Sequence, residues 1–129
     1  MIAPKRFRKK PVEIEAMQWD GSYDAADELW EFTARETTIG GSRAVATQFM
    51  VLGEDDAYDV LSCYDDDMEL IADNEVDQRR AEGYSAVVYD ELHGTWVNVA
   101  TGQWIIKGVQ GGFYPCAADV FAATHMAVE

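Results

Sequence analysis

From residue 84 the chain reads YSAVVYDELHGTWVNVATGQWIIKGVQGGFYP, and no other stretch limits the fold so firmly. Apolar, aromatic and β-branched residues fill three runs, 85 to 90, 95 to 99 and 103 to 109, broken at ELHG, TG and QGG. Such side chains suit a pleated, half-buried surface, and short glycine-bearing breaks suit hairpin turns. The pattern predicts a three-stranded antiparallel meander.

Other elements follow from period and punctuation. PVEIEAMQW sets Val12, Ile14 and Ala16 against Glu13 and Glu15, the alternation of a half-buried strand. After Gly21 and Ser22, apolar residues recur at 25, 29 and 32 and at 26, 30 and 33, which predicts a helix over about 24 to 35, ending before IGGS. RAVATQFMVL and DAYDVLSCY read as two strands joined by the acidic turn GEDD. The polar stretch 65 to 83 reads as a surface loop or as a short helix near 75 to 82, with Gly83 as its stop. Pro115 introduces a short helix over about 117 to 123, and HMAV closes the chain as an edge strand. The fold class expected is α+β: a small, mainly antiparallel sheet with the C-terminal meander, one helix after the first strand and a short C-terminal helix.

At 129 residues, 48% of them hydrophobic, the chain has the size and composition of one globular domain. Its charge is uneven. Lys5, Arg6, Arg8, Lys9 and Lys10 crowd one hexapeptide, whereas residues 11 to 129 hold five basic against 24 acidic residues, −19 in all. The division expected is a basic arm, 1 to 10, before a single acidic domain, 11 to 129. The arm reads either as a solvated tail or as a segment that touches phosphate or a partner. An acidic body repels a phosphate backbone, so direct nucleic-acid binding is not expected. Without an apolar run of 18 residues, and with glutamates following the basic stretch, the expectation is a cytoplasmic protein without a membrane partner. Cys63 and Cys116 lack metal-knuckle spacing and are read as reduced.

Few residues point to chemistry. The glycines of KGVQGGF follow a strand but open no helix of a βαβ unit, so they read as a turn or bulge and not as a phosphate cradle. Cys116, Asp119 and His125 are the only thiol, acid and base near one another in sequence, yet nine residues of helix would hold Cys116 and His125 over ~10 Å apart. DDDME and DNEVD offer oxygen ligands without the spacing of a calcium loop and read as solvated acids. His93 reads as a turn residue. Neither a catalytic residue, a metal site nor a cofactor is expected. The residues singled out for binding are Lys107, Trp104, Tyr114 and Trp96, a lysine and three aromatics on the strongest strands.

The segments Phe7 to Val12, Glu15 to Trp19 and Gly102 to Phe121, with their FRKKPV, EAMQW and WIIKGVQGGFYPC, resemble a family of small, mostly uncharacterised phage and prophage proteins named for a Pro-Gly-Asp-Tyr-Gly motif. YSAVVYDELHGTWVNV is similar to the version found in phages of actinobacteria. The chain departs from that pattern at Thr101, Gly102 and Gln103, in place of Pro-Gly-Asp, and at Gly112, in place of a glutamate. The resemblance implies phage origin, a small α+β fold and the cytoplasm of a bacterial host, and it carries no established activity. Two functions are expected from it and from the charge together. The first is a non-enzymatic accessory protein that binds a host protein through an acidic, aromatic surface, with DNA mimicry as a special case and self-association open. The alternative is a module that sequesters a small molecule or nucleotide between Lys107, Trp104 and Tyr114, near the basic arm.

Overall fold

The computed structural model describes residues 3–8, 10–53, 63–64, 70–72 and 75–128, with backbone alone at 63–64, 70–72 and 75. It is an α+β protein with antiparallel sheets. In chain order the elements are β1 (Glu15–Gln18), α1 (Tyr23–Thr33), β2 (Arg35–Ile39), β3 (Ser42–Ala46), β4 (Phe49–Val51), β5 (Cys63–Tyr64), β6 (Leu70–Ala72), α2 (Glu75–Ala81), β7 (Ala86–Asp90), β8 (Thr95–Val99), β9 (Trp104–Lys107), β10 (Phe113–Cys116) and α3 (Ala118–Thr124).

Two three-stranded sheets share one core. The first has the order β1-β9-β10 and the second β4-β7-β8. Trp19, Phe49, Ala86, Val88, Val99, Ile105 and Phe113, drawn from both sheets, cluster with Leu29 of α1. On the other side of the second sheet, Met50, Leu52 and Val87 meet Val76 of α2. The two central strands are therefore buried on both faces: Ala86, Val87 and Val88 in β7, Ile105 and Ile106 in β9. Double-sided burial is why SAVVY and WII are continuous apolar runs where a half-exposed strand would alternate.

The expected meander does not form as a unit. β7 and β8 make its first hairpin, Ala86 opposite Val99 through Asp90 opposite Thr95. The third run then leaves: β9 pairs with β1, Glu15 opposite Lys107 through Gln18 opposite Trp104, and with β10 on its other side. The Trp19 amide donates to the Gln103 carbonyl at 2.9 Å and the Gly102 amide to that of Trp19 at 2.6 Å, which carries the pairing past the end of β1. Strand period cannot distinguish the two partners, because the turn at 100 to 103 fits a hairpin or a crossing between sheets equally well.

Other expectations shift as well. Helix α1 stops at Thr33, and RETTI, expected to lie at the helix end and beyond it, forms β2. Gly40 and Gly41, at φ 58° and 83°, supply the two left-handed positions of a tight hairpin turn into β3. The run 43 to 52 is two strands, β3 and β4, and β4 pairs with β7. Of the strand expected over 56 to 64, only Cys63 and Tyr64 are among the described residues, and they pair with β6. The helix near 75 to 82 and the C-terminal helix form as α2 and α3, but residues 125 to 128 are not a strand. Pro115, expected to introduce a helix, lies inside β10, an edge strand of its sheet, where a residue without an N–H is tolerated. Among the described residues no helix is long and apolar enough to cross a membrane.

Candidate docking groove

The four residues singled out from the sequence lie in three places. Alternation along β9 puts Trp104 and Ile106 on one face and Ile105 and Lys107 on the other. Tyr114 is in register with Ile106 and so shares the Trp104 face, while Lys107 is in register with Glu15 and Phe113 on the opposite one. Lys107 is exposed. Trp104 is half-buried under α3, its ring stacked on Phe121 at 4.3 Å with 9° between planes, and Phe121 stacks in turn on His125 at 4.5 Å. Tyr114 is 46% exposed and its ring lies over Gly108, where an added Cβ would stand 3.4 Å from it and 3.2 Å from the Gly112 carbonyl. Trp96 belongs to the second sheet, half-buried against the α2-side cluster and edge-on to Tyr89 at 5.2 Å. The structure joins Trp104 and Tyr114 on one face and leaves Lys107 and Trp96 apart from them.

Chemistry-bearing side chains near α3 are engaged locally. Cys116 Sγ approaches the Ala117 carbonyl at 3.6 Å, and His125 Nδ1 is 2.8 Å from the Thr124 hydroxyl. Among the described residues no group of three or more His, Cys, Asp or Glu is placed to hold a metal ion. The acidic stretch DDDME lies outside the described residues.

A concave surface lies elsewhere, between α1 and β4. A groove of about 480 Å³ is bounded by Trp19, Tyr23, Asp27, Trp30, Phe49 and Met50, with smaller residues of the α1 start between them. Local sequence builds it from the helix. Ser22, the N-cap, accepts from the Ala25 amide at 3.1 Å, and Asp20 accepts from the Ser22 amide at 2.8 Å. The Ser22 side chain, the larger influence, and the Ser22 amide both hydrogen-bond to the Asp20 carboxyl and hold it below its ordinary range. Leu29 and Thr33 point inward and are buried. Tyr23, Asp27 and Trp30, at spacings of four and three, form a second stripe along the groove.

The groove wall is aromatic and open. Tyr23 is 85% exposed and Trp30 40% exposed. Trp30 donates through Nε1 to the Thr47 hydroxyl at 3.2 Å, which fixes the indole against the segment leading into β4. Trp19 and Phe49 meet edge to face at 5.3 Å and form the floor. The helix side of this wall is acidic: residues 20 to 31 contain Asp20, Asp24, Asp27, Glu28 and Glu31 and no lysine or arginine, and Asp27 lines the groove. Sequence reasoning assigned Trp30 to helix packing. The available signal was that α1 carries two apolar stripes, 25-29-32 and 26-30-33, wider together than one core-facing side needs.

No protein-family model, curated protein or solved structure matches the chain.

Proposed function

We propose that this chain is a non-enzymatic binding protein that takes a basic, aromatic-bearing segment of a protein partner into the α1–β4 groove. The observation that carries the reading is the combination, on one open surface, of an apolar aromatic floor with an acidic helix that has no basic residue. Aromatic side chains in a concave site supply affinity, and a field of one sign hastens encounter with a partner of the other. The phage-like segments at both ends of the chain support a bacterial host protein as that partner. Local engagement of Cys116 and His125 is in keeping with a role that requires no catalysis. No observation favours the nucleotide-sequestering alternative, because Lys107 stands on the sheet face opposite Trp104 and Tyr114.

Fluorescence anisotropy with labelled peptides tests the proposal. A lysine- and arginine-rich peptide with one phenylalanine should bind, more weakly as salt rises and more weakly when that phenylalanine is alanine. Equal binding of an acidic control, or none by the basic peptide, would remove the reading. Recovery of a partner from host lysate at low but not high salt would identify the natural segment.

A further inference from the structure

The chain itself carries a segment of the chemistry that the groove suits, and we propose that the N-terminal arm of one copy occupies the α1–β4 groove of a second copy. This inference rests on the groove reading above. The arm offers five basic residues and no acid over 5 to 10, with Phe7 among them; residues 20 to 31 offer five acids and no base. Phe7 is 89% exposed, and Lys5, Arg6, Arg8 and Lys10 are all exposed, so the described arm residues bury little against their own chain. A large exposed aromatic flanked by cations is an anchor of the kind that aromatic grooves accept, and the exposed Tyr23 and Trp30 line this one above the buried Trp19.

Exposure of the arm on its own chain favours the second copy over the same one. The arm leaves β1 at Glu15, whereas the groove begins at Trp19, beyond the other end of that strand. Four residues of strand separate the two points by about 13 Å, and residues 10 to 13, which lead from the arm to the strand, are exposed. From Glu15 back to Lys5 an extended chain spans at most roughly 33 to 36 Å, enough to reach a neighbour. A two-fold pair then makes the contact twice, arm to groove and groove to arm, with one self-complementary set of residues. The contact also offsets the repulsion between two chains of net charge −14.

A charge-swap experiment on the full chain tests this by sedimentation velocity at low and high salt. One variant reverses the arm (Lys5→Glu, Arg6→Glu, Arg8→Glu) and one reverses the groove helix (Asp27→Lys, Glu28→Lys, Glu31→Lys). All six positions are exposed, and circular dichroism confirms that each variant folds. The wild type should dimerise, each variant alone should dimerise about tenfold more weakly or worse, and their equimolar mixture should regain the dimer, because each arm then meets a groove of opposite sign. A wild type that stays monomeric, or a mixture that regains nothing, overturns the proposal. A monomer in which arm reversal alone opens the groove to peptide also overturns it, in favour of the arm folding back on its own chain. A synthetic peptide of residues 3 to 12 separates the two levels of the argument. Its binding to the arm-reversed chain beside a monomeric wild type removes only the self-association, whereas no binding removes the groove reading too.

Discussion

The indole nitrogen of Trp19 donates to the hydroxyl of Ser85 at 2.8 Å, across 66 positions of sequence, and so ties the end of the first sheet to the start of β7 in the second. Ser85 Oγ lies 2.7 Å from Thr101 Oγ1 as well, so the hydroxyl serves both the groove floor and the turn between β8 and β9. Trp19 is 2% exposed. Ser85→Ala leaves a buried donor without its partner and should cost about 1–3 kcal/mol in urea unfolding. Loss of stability should be much smaller for Thr101→Ala, which leaves the indole bond in place.

Leu29 anchors the inner stripe of α1 in the core and is fully buried. Leu29→Ala should cost about 2–5 kcal/mol by thermal or urea denaturation. Val45→Ala, on the exposed face of the β2–β3 hairpin, should stay within about 0.5 kcal/mol. Comparable losses at both positions would contradict the placement of the core.

The Ser22 side chain is the cap on which the start of the groove depends. Ser22→Ala should cost about 1 kcal/mol, and Ser22→Gly only a few tenths. Hydrogen exchange at Ala25 and Ala26 should quicken in the alanine variant while β7 amides are unaffected.

Asp90 gives a pH-dependent prediction. His93 Nδ1 lies 2.6 Å from its carboxylate, whose other oxygen accepts from the Leu92 and His93 amides, and these bonds, with the side-chain bond to His93 the largest influence, lower its pKa. A carboxyl lowered in the folded state stabilises the fold above its unfolded value of about 3.9, and that contribution fades as pH falls through the lower folded value. Asp90→Asn should therefore lower Tm relative to wild type above about pH 5, with the difference shrinking as pH falls through the lowered folded value. A difference that grows on acidification would contradict the bond.

Much of the fold was legible in the residues, and its failures have physical causes. Ser22 and the spacing of Ala25, Leu29 and Phe32 marked α1 within two residues. Strands β7, β8 and β9 were marked by their Val, Ile and Trp content. Pairing was not legible: a strand's period says which face is buried but not which neighbour it joins, and β9 chose β1 over β8. RETTI was hidden because a strand that belongs only to a two-stranded hairpin need not alternate in hydrophobicity. The groove was missed for a related reason, since a tryptophan at helical spacing predicts burial somewhere but not against which surface. Trp104 and Trp96, expected as binding residues, are half-buried, Trp104 stacked on Phe121 and Trp96 edge-on to Tyr89.

The four tryptophans make the central claim directly measurable, since Trp19 and Trp30 line the groove while Trp96 and Trp104 pack elsewhere. In an ¹H–¹⁵N spectrum their indole N–H resonances are four separate reporters of peptide binding. Titration of a basic, phenylalanine-bearing peptide into the arm-reversed chain should move the Trp30 resonance, and that of Trp19, while Trp96 and Trp104 stay in place. Movement of Trp104 with Trp30 unmoved would contradict the account and put the docking surface on the face shared by Trp104 and Tyr114.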